Sequence, residues 1–386
     1  GTLVERVAVP APTFGQRLRR ALRLHLDDDE WAAAATARAL AVAKAQRVEA
    51  VVTTLSPYAC YRLGERLQRE LGLPWIVDLR DPWALDGWRV YPTALHARAD
   101  LAHMRAALTR ADFVIANVPA SKRAFEALGA DPARTVVIPN GFDEEDFAGA
   151  PAARPADGRF HLAHVGTLHD VDVAPGLTRN RWRRVRHRQI APLGRTGFYL
   201  LHGLARWRRD AGDRADEVVV DLHGHVAPSH RALVTRLGLD QVVRCHGYLP
   251  HRESIAALVA ADAVFVPLHD VAPGERALVV PGKLYEALAS ERPVLAALPA
   301  GDGADLVRHL AAGLVVAPTD EVAMAAAIET LVALRPRGAA RTRLQPFARP
   351  QLTADLARTI RAAAARARSL ELPDPWSRLG LATPAR

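Results

Sequence analysis

The chain reads as an α/β protein built from two doubly wound domains. Two observations carry this. Apolar runs of strand length alternate with helical segments along most of the 386 residues, which calls for parallel sheets covered by helices on both faces. The alternation stops once, at Ala148-Gly-Ala-Pro-Ala-Ala-Arg-Pro-Ala-Asp-Gly158, a stretch with the composition of a linker, and then restarts. Two such domains turn the carboxyl ends of their sheets toward a shared cleft, where ligands of this architecture bind.

The first domain is expected over 1–147. A strand candidate, Leu3–Val9, opens it, followed by prolines and a basic patch. Asp27-Asp-Asp-Glu30 sets negative charge at the positive end of a helix over Trp31–Gln46. Strands follow at Ala50–Leu55, Pro74–Leu79, Asp112–Ala116 and Thr135–Ile138. They alternate with helices at Tyr58–Leu71, Ala94–Arg110 and Ala120–Leu128, and Pro139-Asn-Gly141 marks a turn. After the linker at 148–158, the second domain spans 159–345. Its strands are Phe160–Val165, Val218–His223, Val242–His246, Ala263–Pro267, Val294–Leu298 and Leu314–Ala317. Helices are expected at Gly197–Asp210, 228–237, 251–261, 303–312 and 320–334. Residues 346–386 hold a last helix, about 352–369, and a tail from Pro373 that is expected to be mobile.

The stretch Val280-Pro-Gly-Lys-Leu-Tyr-Glu-Ala-Leu-Ala-Ser-Glu-Arg-Pro-Val-Leu295 reads as loop, short helix and buried strand. Lys283 and Glu286 are three apart and share one face of the first helical turn. Free amides and the dipole there attract anions, Lys283 adds a cation, and Glu286 adds an acceptor for a pair of sugar hydroxyls. The pattern suits a nucleotide, with diphosphate on the helix start and ribose on the carboxylate. It equally suits a surface ion pair on an ordinary βα unit. Ser56, Arg80, Asp81, Asn140, Gly166 and Gly247 also fall at strand ends, and that common position says more than any one of them.

The formal charge is +9 with a pI near 10.2, which favours anionic partners: nucleotides, phospholipid head groups or nucleic acid. Residues 169–194 break the strand–helix pattern. They carry Arg179, Arg181, Arg183, Arg184, Arg186 and Arg188 around Trp182. The segment is either a phosphate or nucleic-acid patch or a solvated insertion without structure of its own. Cys60 and Cys245 lie far apart beside apolar segments, as buried free thiols of a reducing compartment would. No Cys/His spacing suits a metal, no apolar run is long enough to span a bilayer, and no signal peptide is visible.

Several blocks together resemble glycosyltransferase family 4, of the two-Rossmann-domain GT-B class, over about residues 48–365. Val137-Ile-Pro-Asn-Gly-Phe-Asp143…Phe147 is similar to the motif closing the family's first domain, and Ala163-His-Val-Gly-Thr-Leu168 to the strand opening its second. Val243-Arg-Cys-His-Gly-Tyr248 resembles the strand whose glycine loop packs by the nucleobase. Ala260-Ala-Asp-Ala-Val-Phe-Val-Pro267, Glu286-Ala-Leu-Ala-Ser-Glu-Arg-Pro-Val294 and Phe347…Leu352 resemble further family blocks in the family's order. Trp75-Ile-Val-Asp-Leu-Arg-Asp-Pro-Trp83 and Pro281-Gly-Lys-Leu-Tyr-Glu286 look like one subgroup.

The resemblance implies transfer of a hexose from a nucleotide diphosphate donor to a hydroxyl acceptor, with anomeric retention and without a metal or other cofactor. It implies Gly166, Thr167, Gly247, Tyr248, Lys283, Leu284 and Glu286 on the donor side, and Ser56 and Asn140 on the acceptor side. Arg80, Asp81, Arg195 and Lys283 would serve the chemistry, with Arg195 and Lys283 on the leaving diphosphate. A nucleotide sugar and a hydroxyl acceptor are the partners it implies. With the basic surface it suits a cytoplasmic protein in peripheral contact with the inner membrane face, and it argues against nucleic acid.

The chain departs from the family pattern at four places, one of them Arg80-Asp81, where many members carry a His before the Asp. A second glutamate, eight positions before the ribose one, is Leu278 here, with Glu275 off-register. The basic pair after the domain-opening glycine is replaced by Thr167 and the insertion, which makes Arg195, in Arg195-Thr-Gly-Phe-Tyr-Leu-Leu201, the displaced phosphate ligand. The first strand and glycine-rich loop of the first domain are not recognisable. An incomplete first domain and weak transfer activity are therefore expected, with a second domain that folds and binds nucleotide alone. Two other readings stay open: a nucleotide-sugar 2-epimerase of the same fold, and a non-catalytic binder of nucleotide sugar or nucleic acid.

Overall fold

A computed structural model describes residues 4–8, 11, 29–149, 155–172 and 185–381. The chain divides into two compact units. The first comprises the described residues of Gly1–Pro139 together with residues 185–188 and Thr353–Pro375. The second comprises the remainder.

The first unit holds helices α1 (Asp29–Ala45), α2 (Tyr61–Leu71), α3 (Ala94–Arg110) and α4 (Pro119–Ala127). They flank strands β1 (Val51–Leu55), β2 (Trp75–Leu79), β3 (Phe113–Ala116) and β4 (Thr135–Val137). The strands pair in parallel in chain order. Every residue of β2 and β3 is buried, as expected for inner strands covered on both faces. The edge strand β1 alternates buried and exposed. Trp75 sets the spacing of α2 above the sheet: its indole Nε1 donates to Thr53 Oγ1 at 2.8 Å. A Cβ on Gly64 would stand 2.0 Å from that nitrogen.

The second unit holds β5 (Phe160–Val165), β6 (Ile190–Ala191), β7 (Val218–His223), β8 (Val243–Gly247), β9 (Ala263–Pro267), β10 (Asp270–Val271), β11 (Val294–Ala297) and β12 (Gly313–Val316). Its helices are α5 (Phe198–Asp210), α6 (Pro228–Arg236), α7 (His251–Ala260), α8 (Gly282–Ala289), α9 (Asp302–His309) and α10 (Glu321–Leu334). The six-stranded parallel sheet runs β12-β11-β9-β5-β7-β8. Strand order reverses beside β5, and ligands bind such sheets at that reversal, outside the carboxyl ends. Trp207 and Leu204 of α5 and Ile328 and Leu331 of α10 are buried in one core with Phe160, Val218 and Phe265 of the sheet.

Four expectations change. The described part of Leu3–Val9, residues 4–8, lies in no strand. The insertion has structure at its carboxyl end: Val185 bridges Tyr91, and β6 pairs antiparallel with β10. Its arginine cluster through Arg184 lies outside the described residues. The last long helix, α11 (Arg349–Ala364), is split by the unit boundary, so Thr353–Pro375 belongs with the first unit. The described part of the tail, to residue 381, is anchored through α12 (Pro375–Arg378). Trp376 is 2% exposed, donates from Nε1 to the Asp302 carbonyl at 3.1 Å and packs edge-on against Phe347. Cys60 and Cys245 are free and half-buried. No helix among the described residues is long and apolar enough to cross a membrane.

Candidate functional site

In the second unit, the loops leaving β5, β7 and β8 form a ledge of bare main chain. The Gly166 amide donates to the His223 carbonyl at 2.7 Å, and the Gly224 amide donates to the Gly247 carbonyl at 2.6 Å. Gly166 and Gly224 sit at φ 116° and 127°, a region closed to most side chains. A Cβ on Gly224 would meet the Gly166 oxygen at 2.4 Å, so the two loops touch only because Gly224 carries no side chain.

Helix α8 begins beside this ledge, on the reversal flank of β5. Pro281 precedes its first turn in extended conformation with no side-chain cap, so the first amides are open to an external acceptor. Lys283 reaches back over Gly166 and donates from Nζ to the Thr167 carbonyl at 3.3 Å. A Cβ on Gly166 would lie 1.9 Å from that Nζ, which makes glycine the condition for the lysine's position. Burial, then the charge of Arg195, lowers the Lys283 ammonium to about 8. Arg195 closes a 3-10 turn, Pro192–Arg195, just before α5. Burial followed by the charges of Arg195 and Lys283 also lowers His169. His164 is buried and held neutral down to about 3, by burial and then by Lys283. The fixed positive charge here is thus Arg195 and Lys283, with neutral imidazoles around them.

Glu286 stands one turn further along α8. Burial pushes its carboxyl up, while His251 and Arg349 pull it back. His251 is itself raised, chiefly by its 2.7 Å contact with Asp146, and Arg349 pairs with Asp143. Both acids belong to the stretch after Asn140 that the sequence marked as a domain-closing motif.

Gly166, Thr167, Arg195, Lys283, Glu286 and Gly247 therefore gather at the carboxyl ends of one sheet. Tyr248 follows them, 84% exposed. Leu284 does not join them. Its side chain is fully buried and points to the α9 side, where a Cβ on Gly303 would touch it, because it lies on the core face of α8. Asn140, expected on the acceptor side, lies in the second unit, its side-chain amide 3.5 Å from where a Gly282 Cβ would be. Ser56, Arg80 and Asp81 lie in the first unit, after β1 and β2. Arg80 is held there by Asp78, whose Oδ2 accepts from Arg80 Nε at 3.0 Å and from Thr54 Oγ1 at 3.1 Å. Asp78 is 4% exposed and burial raises its carboxyl. An acid inside the apolar run Trp75–Leu79 was the available signal for it.

A second feature was also missed. Asp157, His161, Asp221 and His246 form a continuous chain, with contacts of 2.9, 2.6 and 2.6 Å. His246 stacks on His223 at 4.3 Å. The chain crosses β5, β7 and β8 and ends beside the glycine ledge. Isolated His and Asp residues in apolar strands signalled it. Among the described residues, no three His, Cys, Asp or Glu side chains converge as a metal site requires.

The glycosyl transferase 4-like domain model matches residues 1–141, and the model for glycosyl transferases group 1 matches residues 198–333. The chain belongs to this glycosyltransferase family. A D-inositol 3-phosphate glycosyltransferase from Kineococcus radiotolerans is 31% identical over 246 residues, 58% of this chain. The match spans about half (49%) of that relative's length. Among solved structures, Anabaena Alr3699/HepE in complex with UDP and glucose superposes with a TM-score of 0.58 at 20% identity, covering 85% of this chain and 81% of its own. A UDP-N-acetylglucosamine 2-epimerase described as putative, from Listeria monocytogenes, reaches 0.51 at 12% identity, over 89% and 82%. Likenesses this distant establish the shared α/β fold with parallel sheets and nothing finer.

Proposed function

We propose that the chain transfers a hexosyl group from a nucleoside diphosphate sugar to a hydroxyl acceptor, with retention at the anomeric carbon and without a metal. The bond from the anomeric carbon to the diphosphate oxygen breaks, a bond to the acceptor oxygen forms, and the hydroxyl proton is released. Charge builds on the leaving diphosphate, and preorganised cations stabilise that charge best in a partly desolvated setting. Lys283, Arg195 and the first amides of α8 take this role, and Glu286 fixes the ribose. The ledge of Gly166 and Gly247 accepts the nucleotide main chain to ligand, and Tyr248 covers it. Arg80, positioned by Asp78, with Ser56 and Asp81, serves the acceptor. The basic surface suits peripheral contact with an anionic membrane.

The observation that carries this reading is the Lys283 ammonium, half-buried over Gly166 beside Arg195 at the start of α8. Two cations set side by side at a helix start suit an anionic ligand such as a diphosphate. UDP is bound in the superposed Anabaena structure, so UDP-hexoses are the first donors to try. The test follows release of free nucleoside diphosphate with and without a panel of hydroxyl acceptors. Release that needs an acceptor supports transfer. Interconversion of two nucleotide sugars without an acceptor would instead identify an epimerase.

A further inference from the structure

At the amino ends of β5, β9 and β11, a strand's length or roughly 16 Å from the glycine ledge, the second unit carries a cavity of about 640 Å³. Arg292, Arg335, Arg337 and Arg341 line it, against two acids, Asp262 and Glu291. Both acids are engaged with main chain. Glu291 Oε1 accepts the Arg341 amide at 2.7 Å, and Asp262 Oδ2 accepts the His161 amide at 2.9 Å. The pairing of Asp262 with Arg335 is long, at 3.9 Å. Four guanidinium groups thus share a concavity lined by two carboxylates.

The cavity is shaped by backbone that would otherwise be avoided. Glu291 and Arg335 hold φ of 60° and 41°, a left-handed conformation that costs free energy for residues with side chains. A Cβ on Gly338 would stand 2.5 Å from the Arg292 carbonyl, so this wall closes only with glycine. The arginines are also oriented. Arg292 Nε donates to the Val259 carbonyl at 2.8 Å, and Arg341 Nε to the Ala289 carbonyl at 2.7 Å, which fixes both guanidinium planes. Arg335 rests over the Phe160 ring at 5.5 Å. Arg337 is exposed and has no partner among the described residues.

We infer that this cavity is a second anion site, built for the phosphate group of a small phosphorylated molecule. Guanidinium forks match phosphate oxygens in pairs, and several converging forks select a dianion over chloride or a lone carboxylate. The volume is that of a metabolite site, not a macromolecular groove.

The test uses the full chain carrying Lys283→Ala, which weakens the other phosphate locus, and compares it with the same chain also carrying Arg335→Gly and Arg337→Ser. Arg335→Gly suits the left-handed backbone, and Arg337 is exposed, so an unchanged melting temperature without ligand is expected. Should folding suffer, Arg337→Glu alone replaces the pair. Calorimetric titration with pyrophosphate should show affinity weakened about tenfold or more by the arginine changes. Equal pyrophosphate affinity in the two chains would overturn a soluble-phosphate site. Co-sedimentation with phosphatidic acid vesicles, against phosphatidylcholine vesicles, forms the second arm. Selective loss of phosphatidic acid binding in the arginine variant would keep the site and assign its phosphate to a lipid head group. No difference between the chains in either arm would overturn the site itself.

Discussion

Lys283 is held at about 8 because burial and the neighbouring Arg195 both oppose its charge. A free lysine keeps its proton to about 10.4. Between these values the unfolded chain holds a proton that the folded chain has released. This group therefore adds stability as pH rises from about 8 toward the free value, and subtracts a constant amount below it. A bound diphosphate reverses the balance by restoring the proton. Calorimetry near pH 8, in buffers of different ionisation enthalpy, should record proton uptake on nucleoside diphosphate binding, and Lys283→Met should abolish it. Affinity should also fall as pH rises through 8 to 9, because the neutral amine no longer attracts the phosphates. Glu286 has the opposite sign. Its carboxyl is raised, so its contribution to stability is lost as pH climbs through the raised value. Glu286→Gln should leave the unliganded chain at least as stable at neutral pH, yet weaken nucleoside diphosphate binding by about 1–3 kcal/mol through the lost charge-assisted hydrogen bond. A variant that binds as tightly as the parent would move the ribose away from this helix. That Lys283 and Glu286 share one helical turn was legible from their spacing alone. Asp78 and the His161–Asp221–His246 chain show in the sequence only as isolated polar residues in apolar strands, since strand periodicity reports which face is buried and not which polar groups meet across neighbouring strands.

Elements were legible where burial is strong and continuous. Phe160–Val165, Val218–His223 and Ala263–Pro267 are strands with the bounds that their apolar runs imply. Short pieces stabilised by distant partners were not. Ile190–Ala191 is a strand only because Asp270–Val271 pairs with it, and Pro375–Arg378 is ordered by the burial of Trp376. The carboxyl end of the insertion belongs to the same class. Arg186 Nη1 donates to the Gly87 carbonyl at 2.5 Å, and His187 Nε2 meets the Ala97 carbonyl at 2.9 Å, with its ring edge-on to Tyr91. Replacing both Arg186 and His187 by alanine should lower stability by about 1–3 kcal/mol, the scale of hydrogen bonds involving a charged group, as read from urea unfolding. Parental stability would mean that these residues lie on the surface without holding it. Gly64 makes a sharper case. Its Cβ position is occupied by the Trp75 indole, so Gly64→Ala should cost about 1–3 kcal/mol by overpacking, despite alanine's better helix propensity.

At the scale of the molecule, each unit owns a core. Trp75, Val77, Leu79, Phe125 and Met104 are buried in the first, while Phe160, Trp207, Val218, Phe265 and Leu331 are buried in the second. The interrupted strand–helix alternation predicts a linker at 148–158, whereas the contacts separate the units at Pro139 and assign Thr353–Pro375 to the first, because contacts distant in sequence decide that membership. Asn140 to Phe147 joins the second unit through Phe142, whose amide donates to the Phe347 carbonyl at 3.2 Å, and Trp376 joins it through Asp302 and Phe347. A fragment of 159–345 would lack all three aromatic residues, so it should be less stable than the second unit within the full chain. Separate cores unfold as separate cooperative blocks when neither needs the other's burial. The candidate nucleotide residues all lie in the second unit, and a ligand that binds only folded protein stabilises the block that binds it. Differential scanning calorimetry of the full chain should therefore resolve two transitions, and at about 100 times the dissociation constant a nucleoside diphosphate should stabilise one of them by about 2.7 kcal/mol. Trp376→Ala should lower the same transition, removing a fully buried indole at a cost of about 3–5 kcal/mol. If the nucleotide moves the transition that Trp376→Ala leaves alone, the nucleotide site belongs to the first unit; if one undivided transition responds to both, the units fold as a single block.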